Sequence, residues 1–244
     1  APMLYNGERI GADGPAFDIA VDPLECTTFC AKGLPGSLAT IALAEENALL
    51  RPGPSHYMEK LVVPPAARDA IDIGDPPEAR LGRVAGVLGK GIAELRVVVL
   101  DKPRHIELIG RLRGAGASVT TPSDGDVAGA LEVLLPSGEA DVLMGVGGTP
   151  EGVMTACAAR ALGGGMEARL APQSDAEARA LVDAGLDAGR VYGLDDLVDG
   201  SAFFVATGVT GGSLLARPGE SLVISERGVR VVRGRSGSEH EEVV

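Results

Sequence analysis

At 244 residues and 45 % hydrophobic composition, the chain is long enough to bury a substantial core, in one large domain or two smaller ones. A formal net charge of −12 has the wrong sign for a nucleic-acid partner, which demands clustered Lys and Arg. No uninterrupted apolar run approaches the roughly 20 residues of a membrane helix, and no basic stretch followed by an apolar core opens the chain, so a cytoplasmic protein without membrane contact is expected.

Gly7, Gly11 and Gly14 punctuate the start, and a first strand is predicted over residues 17–21. It runs into Asp22-Pro23-Leu24-Glu25-Cys26-Thr27-Thr28, where proline bars the continuation of a central strand and leaves a carboxylate at the strand end. Asp22 and Glu25 are close enough to reach one divalent cation. Thr27 and Thr28 offer hydroxyls and, at a helix start, free N–H groups for a phosphate. The same residues also read as a plain helix start, with Asp as cap and Glu in the first turn.

Residues 37–44 predict a strand, 45–47 a turn and 48–50 a returning strand; after Pro52, Gly53 and Pro54 a further strand spans 57–63. Residues 64–95, with helical spacing over 78–88, read as the connection between two domains, 1–95 and 96–244. From residue 96 the pattern alternates: strands at 96–100, 117–120 and 141–146, helices at 104–113, 127–135 and 152–162. That predicts a parallel sheet with covering helices. Strands at 201–206 and 222–232 follow, the latter turning at 226–228, and 234–238 with the acidic end reads as a loose tail.

Ligands of open α/β sheets gather beyond the carboxyl ends of strands, and three motifs fall there. Lys102-Pro103-Arg104-His105 supplies two cations before a helix, where a solvated helix start is the plainer reading. Asp124-Gly125-Asp126 offers acceptors for sugar hydroxyls, or a cap for the helix from Val127. Gly147-Gly148-Thr149-Pro150-Glu151-Gly152 permits close backbone approach, with Pro150 suited to a first helical position and Glu151 to the positive first turn. Its glycine spacing is not that of a dinucleotide loop. Cys26, Cys30 and Cys157 lack the spacing of a zinc site. Cys26 and Cys30 share a helix face where a disulfide is awkward, so reduced thiols are expected.

Taken in order, the segments Ala1-Pro2-Met3-Leu4-Tyr5-Asn6-Gly7-Glu8, Asp22-Pro23-Leu24-Glu25, Tyr57-Met58-Glu59-Lys60-Leu61, Lys102-Pro103-Arg104-His105, Ser123-Asp124-Gly125-Asp126-Val127-Ala128, Gly147-Gly148-Thr149-Pro150-Glu151-Gly152, Ala206-Thr207-Gly208-Val209-Thr210 and Ser221-Leu222-Val223-Ile224-Ser225 closely resemble the class II (GlpX-type) fructose-1,6-bisphosphatases. The branch that also accepts sedoheptulose 1,7-bisphosphate is included. The resemblance covers almost the whole chain. It implies a layered α/β sandwich of the inositol monophosphatase/fructose bisphosphatase type, a homo-oligomer, and Mn²⁺- or Mg²⁺-dependent hydrolysis of the 1-phosphate of fructose 1,6-bisphosphate.

By that resemblance Asp22, Glu25 and Glu151 bind metal and Thr27 is catalytic. Substrate contacts fall to Glu25, Cys26, Thr27, Tyr57, Lys102, Arg104, His105, Asp124, Gly125, Asp126 and Gly148, with Lys102 and Arg104 on the distal 6-phosphate and Tyr57 against the sugar phosphate. Two departures stand out. The family's pattern has glycine where this chain has Cys26, a costly change if the backbone there takes a positive φ. Family members also carry about sixty further N-terminal residues, with more metal carboxylates and the water-activating acid, so the chain as given is expected to bind Mn²⁺ weakly and turn over poorly. A sugar-phosphate-binding protein with impaired catalysis is the alternative; a nucleotide-binding enzyme using Gly147 and Gly148 is disfavoured.

Overall fold

The computed structural model describes residues 7–234 and 240–243; the segment 1–6 used in the resemblance, and residues 235–239 and 244 of the predicted tail, lie outside the described residues. Strand β1 (Phe17–Glu25) does not stop at Asp22 but runs on through Pro23. Proline is tolerated because β1 is the first strand in its sheet's order and its pairing with β2 (Leu38–Glu45) shifts register between Asp22 and Glu25. A five-residue helix, α1 (Thr27–Ala31), follows.

The predicted return strand at 48–50 is corrected to a single bridge, Leu49 to Val198, with Leu50 N–H donating to the Leu197 carbonyl at 2.9 Å. Those residues pair with a distant segment because the chain is already leaving the first sheet. It enters the second as β3 (Tyr57–Val63), passes through α2 (Pro77–Leu88) and β4 (Arg96–Val98), and continues with α3 (Ile106–Gly114), β5 (Ser118–Thr120), α4 (Asp126–Leu134) and β6 (Val142–Gly148). Next come α5 (Thr149–Leu162), β7 (Gly165–Leu170), α6 (Asp175–Asp183), β8 (Tyr192–Gly193) and α7 (Leu194–Leu197), then β9 (Ala202–Gly208), the hairpin β10 (Glu220–Ser225) and β11 (Gly228–Gly234), and β12 (His240–Val243). The pairing of β12 with β11 corrects the loose-tail reading at 240–243: the open edge of the hairpin offers unpaired N–H and C=O groups to any extended chain beside it.

The first sheet, in the order β1-β2-β9-β10-β11-β12, is antiparallel throughout. The second, β5-β4-β6-β3-β7-β8, is mixed. Its β5, β4 and β6 are parallel, as their βα spacing predicts, but β3 inserts antiparallel between β6 and β7, which corrects the all-parallel expectation. The sheets do not divide the chain at residue 95, since β3 joins the second sheet and β9–β12 return to the first.

Helices α4 and α5 lie between the sheets, and α2 and α3 cover the far face of the second, giving a layered α/β sandwich. The run Ala156-Cys157-Ala158-Ala159 keeps α5 slim enough to be buried almost all round. Leu38, Ala42, Ala44, Phe204 and Ala206 of the first sheet and Met58, Val62 and Leu143 of the second close on this helical layer. The outer core sets Leu61, Val63 and Val97 against Leu81, Val84, Ile109 and Leu112. No helix among the described residues is long and apolar enough to cross a membrane.

Candidate active site

The ends of β1, β5 and β6 meet at the rim of the inter-sheet layer. The irregularity around Pro23 delivers Glu25 into the interior, where it is 5 % exposed and its Oε1 accepts the Val127 N–H at 2.9 Å. Burial pushes the Glu25 carboxyl up to about 9; Asp126 and Asp22 add repulsion, and a hydrogen bond shared with Asp22 favours the protonated form. Asp22 in turn accepts the Leu24 N–H at 3.0 Å. Carboxyls crowded this closely mark a place where a cation would be welcome.

Cys26 caps α1 with a left-handed backbone, φ 61° and ψ 48°, so the position does demand the conformation that glycine adopts without cost. Its thiol is buried, and burial pushes it well above the ordinary thiol range. The three cysteines are free.

Both carboxylates of Asp124-Gly125-Asp126 have partners within the protein. Asp124 Oδ2 accepts from the Thr28 N–H at 3.2 Å and the Thr27 hydroxyl at 3.4 Å, capping α1 from the second sheet. Asp126, the first residue of α4, pairs with the ammonium of Lys60.

Glu151 lies in the first turn of α5, and its buried Oε2 has no hydrogen-bond partner. Burial raises its pKa, with repulsion from Asp126 and Asp22 adding to the effect and the Lys60 charge opposing it. The glycines before and after it are explained by close approach. A side chain at Gly148 would overlap the Glu151 carboxylate, and one at Gly147 would overlap Asp126. These contacts leave no need for a nucleotide to account for the glycine pair. Asp22, Glu25 and Glu151 suit a hard divalent cation, being all oxygen donors with one buried oxygen unsatisfied. Among the described residues, however, no group of three His, Cys, Asp or Glu stands ready around one point.

On the other side, Arg104 Nε and Nη2 donate to the Val146 carbonyl at 3.1 and 2.8 Å, and its guanidinium lies 5.2 Å from the Tyr57 ring centroid. Arg104 remains exposed and Lys102 half-buried. His105 is withdrawn from this face. Its Nε2 accepts the Val146 N–H at 2.8 Å, which leaves the proton on Nδ1 to donate to the Leu100 carbonyl at 2.8 Å. With burial also lowering its pKa, His105 is a neutral clamp between the end of β4 and β6, both ring nitrogens engaged within the protein.

A largely apolar cavity of about 330 Å³ sits behind the α1 turn, lined by Phe29, Leu38, Pro122 and Leu214 and meeting the site at Cys26, Asp124 and Gly125. Its apolar walls do not suit a phosphate. Sequence reasoning missed Lys60. The available signal was a lysine on an otherwise apolar strand face, between the buried Met58 and Val62.

Comparison with known proteins adds independent findings. A family model described as bacterial fructose-1,6-bisphosphatase, glpX-encoded, matches residues 1–225. The chain is 41 % identical to the fructose-1,6-bisphosphatase class 2 of Haemophilus influenzae, over 97 % of this chain and 75 % of that protein. It is 39 % identical to fructose-1,6-bisphosphatase 1 class 2 of Escherichia coli K12, over 97 % of this chain and 74 % of that protein.

Proposed function

The chain belongs to the glpX-encoded bacterial fructose-1,6-bisphosphatase family, and from that membership we propose that it is a divalent-metal-dependent phosphatase releasing the 1-phosphate of fructose 1,6-bisphosphate, with sedoheptulose 1,7-bisphosphate as a second substrate. The observation that carries the metal requirement is the buried, unpartnered Oε2 of Glu151, which feels the negative charges of Asp126 and Asp22. Asp22, Glu25 and Glu151 would hold Mn²⁺ or Mg²⁺. Such an ion supplies charge stabilisation at the phosphoryl oxygens and a more acidic bound water.

The protein's own groups do the rest. The Thr27 hydroxyl, exposed beside the α1 turn, orients the 1-phosphate or its leaving oxygen. For the Thr28 N–H to reach that phosphate, Asp124 must first release it. Arg104, pre-set by Val146 and Tyr57, presents a planar fork to the distal 6-phosphate, with Lys102 two residues away as a second cation. The Tyr57 ring supplies a wall for the sugar.

One observation favours a second reading. With no three metal-binding groups assembled among the described residues, the chain also fits a sugar-phosphate-binding protein of impaired turnover. Two measurements separate the readings: phosphate release from fructose 1,6-bisphosphate with Mn²⁺, Mg²⁺ or chelator, and calorimetric binding of the same sugar. Metal-dependent release leaving fructose 6-phosphate supports the phosphatase; binding without release supports the alternative; fructose 1-phosphate as product contradicts the orientation given to the substrate.

A further inference from the structure

Lys60 lies in β3, opposite Gly145 of β6 and Ala168 of β7, on the face that carries Met58 and Val62 into the inter-sheet core. It is 1 % exposed. A lysine there is costly to desolvate, and an apolar side chain of similar length would serve packing as well or better. Its placement is nonetheless built with care. The ammonium pairs with Asp126, itself 8 % exposed, at the first position of α4. A side chain at Gly147 would overlap Asp126 Oδ2 and come within 3.1 Å of Lys60 Nζ, and one at Gly152 would overlap Met58 Sδ and come within 3.0 Å of Lys60 Cε, so the bare backbone on both sides of Glu151 makes room for the Lys60–Asp126 pair together with Met58. A void of about 10 Å³, at the lower limit for one water, adjoins Lys60, Asp126 and His105.

The consequence is geometric. Drawing Asp126 down onto Lys60 sets the start of α4, where the Val127 N–H meets Glu25 and Gly125 faces Cys26. One buried cation thus ties the strand under the site to the turn that seats Glu25 and, through Asp124, to the cap on Thr27 and Thr28. We propose that Lys60 is a positioning residue of this site, acting through Asp126 to hold the first turn of α4 in register with Glu25 and Glu151. The kinetic part of this proposal rests on the phosphatase reading above.

The test compares wild type, Lys60→Met, Asp126→Asn and the double variant in the whole chain. The measured quantities are kcat, KM and amide hydrogen exchange over residues 122–128. Lys60→Met should lower kcat about 10-fold or more with KM changed less than about 3-fold, and should speed exchange at 122–128 but not in β2. Because Lys60 acts through Asp126, the double variant should be no slower than Asp126→Asn alone. Removing both charges also spares the fold the unpaired carboxylate, so the cycle survives if Lys60→Met proves unstable. Wild-type kcat in Lys60→Met, or single losses that multiply in the double variant, would overturn the proposal. If wild type itself releases no phosphate, the phosphatase reading fails, and unchanged exchange at 122–128 in Lys60→Met, or in the double variant relative to Asp126→Asn, then overturns the positioning role separately.

Discussion

Gly125 is pressed against Cys26, so closely that a Cβ on Gly125 would overlap the Cys26 sulfur, and both residues have left-handed backbones, φ 93° and φ 61°. The turn that ends β1 and the turn that starts α4 therefore fit only because one of them lacks a side chain. Cys26 accepts the strain of a positive φ and fills the contact from its own side.

Gly125→Ala should cost about 3 kcal/mol of stability, combining the left-handed penalty with overpacking, and should lower phosphatase activity by displacing Glu25 from Val127. Adding Cys26→Gly to the same chain should recover the overpacking share. Urea unfolding of the single and double variants measures both effects; no recovery in the double variant would mean that the contact is not where the strain arises.

Asp22→Asn and Glu151→Gln should each abolish phosphate release while leaving the fold largely intact, since each replaces a proposed anionic ligand by a near-isosteric amide. Glu151 Oε2 has no partner to lose. Turnover at saturating Mn²⁺, read beside the melting temperature, checks this; unchanged turnover removes the residue from the ligand set.

Arg104→Ala should raise KM about 10-fold or more with little change in kcat, because the distal phosphate does not react. The side chain is exposed and bonded only to the Val146 carbonyl and the Tyr57 face among the contacts of the described residues, so stability should barely move. A pure loss of kcat would place Arg104 at the reacting phosphate.

Glu25 sets a pH dependence in the metal-free protein. Its folded pKa, about 9, lies above the unfolded 4.5, so the native state holds the extra proton. Its contribution is complete below pH 4.5 and is lost as pH rises through 9. His105, whose pKa is lowered, works in the opposite sense: its share is complete above the unfolded 6.5 and is lost only as pH falls. Between pH 7 and 9 the Glu25 slope therefore stands alone of the two. Urea midpoints in chelator should fall across that window in wild type and fall less in Glu25→Gln; equal slopes would show that Glu25 is ionised in the native state.

Much of the fold was legible because burial leaves a period in the chain. The apolar pattern at 57–63 defines a strand, and β3 spans Tyr57–Val63; the spacing at 78–88 defines a helix, and α2 spans Pro77–Leu88. Periodicity shows which face is buried but not which strand lies alongside, so the insertion of β3 between β6 and β7 stayed hidden. The polar sequence around 175–183 and the Gly-led start of β7 carried too little pattern to predict α6 or β7.

Within the site, Asp22, Glu25, Asp126 and Glu151 come from three separate segments and meet in one electrostatic group. Their clustering at strand ends was readable from the motifs. That Asp124 would cap α1 and Asp126 pair with a buried lysine was not, because their partners Thr28 and Lys60 lie in distant segments whose approach depends on the packed sheets.

The metal site is the core of this account, and Mn²⁺ binding tests it most directly. Calorimetric titration of the purified chain should show saturable binding in wild type, weakened about 10-fold or more by Asp22→Asn and by Glu151→Gln with the melting temperature retained. Equal Mn²⁺ affinity in all three proteins would contradict the assignment of Asp22 and Glu151 to a common ion.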